Sequence, residues 1–214
     1  MLEHLRRIVV EGPIGSSKTA LAQRLAHTLH AAALLDGART TPFLERFYRE
    51  PARYALPLQL ACLNKRADQL QQWQSALLAG QRMVSNFLFV RDRLYASLTL
   101  PEDELALYDA IAARLQLPPQ RTDLVIMLQA TPSLLRERIA RRGAPGEATG
   151  IDEPYLQRLT QAYGELFHRY DEAPVLIVDT AHFNPVDNDG DFRTLLTRIE
   201  NMRGRRAFLN LAAP

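Results

Sequence analysis

One short segment limits this chain more than any other. Arg7-Ile8-Val9-Val10 runs into Glu11-Gly12-Pro13-Ile14-Gly15-Ser16-Ser17-Lys18-Thr19, and then Leu21, Leu25 and Leu29 recur at four-residue steps. An apolar β-branched run, a Gly-containing turn and a helical period in direct succession describe a strand that enters a helix through a tight loop. Gly12, Lys18 and Thr19 stand where the phosphate-binding pattern G-x-x-x-x-G-K-[ST] needs them, and only its sixth position, Ser17, departs. Such a turn aims backbone N–H groups and a helix N-terminus at phosphates, brings a lysine to the β and γ oxygens and offers a hydroxyl to Mg2+. Gly12, Pro13, Ile14, Gly15, Ser16, Ser17, Lys18 and Thr19 are therefore expected to hold a nucleotide's phosphates, with Thr19 as the metal ligand. A Gly-rich turn that binds nothing is the alternative. The Ser17 Cβ is tolerated there if the residue is already helical.

The same alternation of short apolar runs and long helical patterns continues along the chain. Strands are expected at Arg7 to Val10, Met83 to Ser85, Leu124 to Leu128 and Val175 to Val178, with a weaker one at Ala33 to Leu35. Helices are expected at Lys18 to His30 and Tyr54 to Leu78, and another opens at the acidic cap and early proline of Asp152-Glu153-Pro154. Strands separated by helices imply a five-stranded parallel sheet covered on both faces. The breaks at Gly37 to Pro42, Pro118-Pro119, Gly143 to Gly150 and Asn184 to Gly190 are too short for interdomain linkers, so residues 1–214 read as one domain.

Charge and cysteine usage narrow the partners. Twenty-six Lys and Arg against 24 Asp and Glu leave a net charge of +2, too small an excess for a protein that grips polymeric nucleic acid through its phosphates. The apolar runs fall far short of a membrane span, and the N-terminus has no signal-peptide core. The one cysteine, Cys62, suits a reducing compartment, and the chain is expected to be cytoplasmic.

Further segments carry a family likeness. Thr41-Pro42-Phe43-Leu44, Phe47 to Gln59 with Arg66, Val84 to Phe89, Asp103 to Tyr108, Asp123 to Ile126, Arg138 to Gly143, Gly150-Ile151-Asp152 and Asp171 to Val178 follow one another in an order that resembles the deoxynucleoside kinase family, in particular its bacterial deoxyadenosine and deoxyguanosine branch. The resemblance implies a P-loop kinase fold with a helical lid at about residues 138–150. It implies ATP-dependent, Mg2+-assisted phosphorylation of a deoxyribonucleoside at its 5′-hydroxyl, with a purine preferred, in nucleotide salvage. Tyr48 matches a tyrosine on the sugar 3′-hydroxyl, Gln59 and Arg66 match base-binding residues, and Asp92 matches the acidic partner of that arginine. Gln59 and Arg66 are seven residues apart, two helical turns, so both can face one pocket. Arg138 and Arg142 resemble lid arginines that stabilise charge on the moving phosphoryl group, Arg141 equally fits a helix end, and Glu147 matches a lid glutamate near the sugar. Phe183 to Asn188 sits where the family holds the adenine of ATP. Family members are commonly dimers, which makes Tyr54 to Leu78 the candidate interface of a homodimer.

Four positions depart from the family pattern: Ser17, Asp36, Asn86 and Ala144. Asp36 stands where a glutamate acts as the base toward the 5′-hydroxyl, one methylene shorter, and Asp36-Gly37 also fits a plain turn. Asn86 replaces an acidic residue near Mg2+, and Ala144 a second lid arginine. These changes give the rival reading, a nucleotide-binding protein of the same fold whose catalysis is weakened or lost.

Overall fold

The computed structural model describes residues 2–36, 41–144 and 146–210. Six strands, β1 (Arg7–Glu11), β2 (Ala32–Leu34), β3 (Met83–Ser85), β4 (Leu124–Gln129), β5 (Val175–Asp179) and β6 (Arg206–Leu209), form one sheet in the order β2-β3-β1-β4-β5-β6. Every pairing is parallel, with Val9 opposite Ser85 on one side and Val125 on the other. Between the strands run α1 (Lys18–Thr28), α2 (Leu44–Arg49), α3 (Pro51–Leu78), α4 (Val90–Thr99), α5 (Glu102–Arg114), α6 (Pro132–Arg142), α7 (Glu147–Gly150), α8 (Glu153–Arg169) and α9 (Asp189–Glu200).

The two-residue period of the strands sorts their side chains to opposite faces. Ile8, Val10, Ile126 and Val178 pack against Leu21 and Leu25 of α1 and Phe192 and Leu195 of α9. Val9, Val125, Val175 and Ile177 face the other way, against Trp73 of α3 and Leu156, Tyr163 and Phe167 of α8. Each of these large side chains is removed from water, a gain of about 1.5–3 kcal/mol apiece, and both faces of the sheet are covered as expected.

The expected five strands become six. The tail that begins at Arg203 reads as a short basic terminus, yet Ala207 and Leu209 turn inward from an edge strand on β5 while Arg206 and Phe208 stay exposed. Arg206 Nη1 donates to the Phe167 carbonyl at 2.7 Å and Nη2 to the Tyr170 carbonyl at 3.0 Å, satisfying groups that the end of α8 leaves over. Elsewhere the differences are at boundaries: β2 lies one residue earlier than Ala33 to Leu35, and α3 starts at Pro51, a proline in the first turn, rather than at Tyr54. The cap at Asp152 holds, its Oδ1 accepting from Tyr155 N at 2.8 Å. Of the expected breaks, residues 37–40 and 145 lie outside the described residues. Among the described residues no helix is long and apolar enough to cross a membrane.

Candidate active site

The carboxyl ends of β1, β2 and β3 converge beside the turn at residues 12–17, where strand order reverses around β1, the usual place for a ligand in an open parallel sheet. Gly12 and Gly15 have φ of +154° and +87°, and a Cβ at Gly12 would lie 2.7 Å from the Leu128 carbonyl. At Gly15 a Cβ would lie 2.9 Å from the carbonyl of Leu135 in α6. Both positions demand glycine, for conformation and for space. The Lys18 ammonium folds back to the Pro13 carbonyl at 3.2 Å, and burial followed by the nearby Arg91 charge pushes it down to about 8 against the pull of Glu11 and Asp36. Among the described residues Ser16 Oγ has no hydrogen-bond partner and is buried, an orphaned donor inside the loop.

Ser17 is not helical, as its tolerance had required. It caps α1 in the left-handed region at φ 66°, ψ 18°, a conformation that costs a side-chain-bearing residue about 1 kcal/mol. Ser17→Gly is expected to stabilise the fold by that amount, raising Tm by about 2–4 °C in calorimetry; an unchanged or lower Tm would mean that the serine side chain contributes more than the strain costs.

Behind the turn lies a continuous set of buried charges. Glu11, fully buried at the end of β1, accepts from Gly12 N, Leu88 N, Tyr163 Oη and Arg91 Nη1. Arg91 continues through Nη2 to Asp36 Oδ2. Asp36 Oδ1 accepts from Arg66 Nη2 at 3.3 Å, and Arg66 grips Asp92 with Nε at 2.8 Å and Nη2 at 3.2 Å. The Arg66 and Asp92 side chains are 3% and 7% exposed, so the pair is buried rather than solvated, with the guanidinium 3.8 Å from the Phe87 ring centroid. Burial lifts the Asp92 carboxyl above its usual range while Arg66 opposes it, and Asp92 in turn holds Arg66 up against the same burial. Asn86 ties this set to the turn: its Oδ1 accepts from Asp36 N at 2.5 Å, and its Nδ2 donates to Thr19 Oγ1 at 2.7 Å.

A second cluster sits over the site. Tyr48 of α2 packs against α7, so closely that a Cβ on Gly150 would lie 2.6 Å from its ring. Glu147 is buried, paired with Arg142 and close enough to Tyr48 to add to burial in holding its phenol above the ordinary value. Gln59 donates to Thr99 Oγ1 at 3.1 Å. Arg138 has different partners from Arg142, its guanidinium committed to Thr180 Oγ1 at 2.9 Å and the Thr180 carbonyl at 2.8 Å. In the segment read as the adenine loop, the Pro185 and Val186 carbonyls accept from Arg24 of α1.

The structure thus joins Asp36, Arg66 and Asp92 in one network and Tyr48, Arg142 and Glu147 in another. Sequence reasoning missed Glu11 and Arg91. Glu11 carried a signal, since a carboxylate inside a strand buried on both faces requires a cation nearby, but nothing local said that Arg91 would supply it.

Comparison with known proteins agrees along the length of the chain. The model of the family described as deoxynucleoside kinase matches residues 8–202. The deoxyguanosine kinase of Bacillus subtilis is 27% identical over 200 residues, 91% of this chain and 96% of that protein. The deoxyadenosine kinase of Dictyostelium discoideum is 29% identical over 212 residues, 97% of this chain and 83% of that protein. Among solved structures, deoxyadenosine kinase from M. mycoides with bound dATP has a TM-score of 0.78 at 19% identity, covering 91% of this chain and all of that one.

Proposed function

The chain belongs to the deoxynucleoside kinase family, and from that premise we propose that it transfers the γ-phosphoryl group of ATP to the 5′-hydroxyl of a purine deoxyribonucleoside in nucleotide salvage. One observation carries the reading. An unbroken run of contacts leads from the turn to the pocket: Thr19 to Asn86, Asn86 to Asp36, Asp36 to Arg66, Arg66 to Asp92. A site that must set a phosphate donor in line with an acceptor hydroxyl needs this kind of rigid link, because phosphoryl transfer depends on positioning and charge stabilisation. The relatives named as deoxyguanosine and deoxyadenosine kinases support a purine.

The turn at residues 12–17 and the N-terminus of α1 fit a triphosphate, since the Ser16 hydroxyl and the lysine, which among the described residues have no partner and one carbonyl respectively, both gain a partner there. Thr19 keeps a lone pair beyond the one Asn86 occupies, enough to ligate Mg2+. Among the described residues no group of three His, Cys, Asp or Glu side chains could hold a metal alone, so the ion would come with the phosphates. When bound, Mg2+ neutralises phosphate charge. Tyr48, Gln59, Arg66, Asp92 and Glu147 hold the nucleoside. Asp36 accepts the 5′-hydroxyl proton as the oxygen forms its bond to phosphorus and the bond to the β-phosphate oxygen breaks, giving deoxynucleoside monophosphate and ADP. Lys18, Arg142 and, released from Thr180, Arg138 balance the charge on the moving group.

The working form we infer is a cytoplasmic homodimer of one-domain chains paired through α3, whose Leu78 is 89% exposed. The test of function is transfer of labelled γ-phosphate from ATP to each of the four deoxynucleosides. Labelled monophosphate from deoxyguanosine or deoxyadenosine is expected; measurable nucleotide binding with no transfer to any of the four would favour the non-catalytic rival.

The close fit of Tyr48 on α7 gives a sharper expectation. Gly150→Ala forces the ring and the short helix apart, so deoxynucleoside KM should rise about tenfold, or about 1.4 kcal/mol of binding, while kcat changes less. Steady-state kinetics with the nucleoside varied decides it, and an unchanged KM would place Tyr48 outside the sugar pocket.

A further inference from the structure

We propose that Arg91 is a positioning residue for the transfer step: anchored from behind by Glu11, it aims the Asp36 carboxylate at the acceptor hydroxyl. The inference rests on the kinase reading above and assigns a role to a side chain that neither the nucleoside pocket nor the phosphate turn has used.

Among the described residues, geometry separates the two cations that touch Asp36. Arg66 reaches it at 3.3 Å with an Nη2 that also serves Asp92, while its Nε is on Asp92 and its Nη1 on Gln69. Arg66 is committed to the pocket, and Asp36 is its weakest partner. Arg91 gives Asp36 the tighter contact, through Nη2 to Oδ2, and its other terminal nitrogen is used only behind the site, on Glu11 Oε1 and the Asn86 carbonyl, each at 3.2 Å. Those anchors do not yield. Glu11 has no exposed surface, and two backbone N–H groups and the Tyr163 hydroxyl fix both of its oxygens. Arg91, 5% exposed, cannot swing to solvent without stranding that carboxylate.

A carboxylate that takes a proton from a bound hydroxyl must lie within hydrogen-bond reach of it, and an ångström of misplacement costs on the order of 10²-fold in rate. An aspartate, shorter than a glutamate, has less freedom to find that position by itself. Its main chain is fixed by Asn86 and its side chain by Arg91. Only a planar guanidinium spans two carboxylates and a carbonyl at once; an ammonium in its place reaches one of them. Arg91 reaches the nucleoside pocket only loosely, its Nε 3.9 Å from Asp92 where Arg66 holds the same carboxylate at 2.8 and 3.2 Å, so its loss should appear chiefly in kcat.

The test uses the full-length protein. Arg91→Lys keeps a cation beside Glu11 and is expected to lower kcat about 100-fold with deoxynucleoside KM changed less than about threefold. Arg91→Met/Glu11→Gln, which leaves no unpaired buried charge if the lysine variant does not fold, should show the same split. In an Asp36→Ala background the Arg91→Lys change should cost nothing further, because a residue that acts through Asp36 has nothing left to position. Unchanged kcat in a folded Arg91 variant, a rise in KM with kcat intact, or an undiminished loss in the Asp36→Ala background would each overturn the assignment while the wild type still transfers phosphate. A wild type that transfers none would overturn the kinase reading and this role with it.

Discussion

Lys18→Ala is expected to reduce kcat/KM for phosphoryl transfer by about 10³-fold or more, roughly 4 kcal/mol of transition-state stabilisation. Among the described residues the ammonium group has no carboxylate hydrogen-bonded to it, and its contact is the Pro13 carbonyl within its own loop. It is positioned for an anion that arrives from outside. Removing it leaves the loop's glycines and the buried face of α1 in place, so the variant should fold. Linkage supplies an independent check. The folded-state value of about 8 lies below the ordinary one, so between about pH 8 and 10 the unfolded chain holds more protons and wild-type stability rises with pH from this group. Lys18→Ala should lose that rise in urea titrations at pH 8 and 10. Retained kcat/KM would remove the basis for reading the turn as a phosphate site.

Arg66→Ala is expected to be the most destabilising single change in the pocket, about 3–5 kcal/mol, because it strips buried Asp92 of its hydrogen-bonded partner and leaves only the longer Arg91 contact at 3.9 Å. Burial already raises the Asp92 carboxyl, and Arg66 is the strongest force opposing that rise. Without it the folded-state value climbs further above the unfolded one. The folded state then binds the extra proton, so the deficit is small below about pH 4, where both states are protonated, and grows as pH rises toward 7. Thermal unfolding of variant and wild type across that range should show the gap widening with pH. The Arg66→Ala/Asp92→Asn double variant should recover part of the loss and be less damaging than the two single effects added. A constant gap, or simple additivity, would mean that the two side chains are not coupled as the geometry indicates.

The parts of the molecule that could be read from sequence are those governed by local pattern. The turn at residues 12–17 and the cap at Asp152 follow from neighbours a few residues away, and the apolar runs of β1, β3, β4 and β5 declare themselves because both faces of the sheet are covered. β6 was missed because an edge strand buries only one side: the alternation of Arg206, Ala207, Phe208 and Leu209 spans four residues, and the preceding arginines obscure it. Arg66 and Asp92 could be paired through their spacing and family likeness. Arg91 could not, since adjacent helical residues point about 100° apart and Asp92 had already claimed the pocket. What brings Arg91 to Glu11 is the parallel pairing of β1 with β3, a contact between segments 80 residues apart that no local period records. Ser17 failed for a related reason, because whether a residue opens a helix or precedes it is settled by one pair of dihedral angles.

The strand order also bears on how the chain comes into being. Of the six described strands β1 is made first, yet it lies in the interior of the sheet with β3 on one side and β4 on the other. Its neighbours are completed only at Ser85 and Gln129. At roughly 5–20 residues per second, the apolar edges of β1 wait several seconds of synthesis for a partner. Parallel pairing permits no local hairpin to cover them in the meantime. The nascent chain is therefore most open to aggregation between emergence of the turn and completion of β4, and β6, made latest of the six strands, closes the far edge.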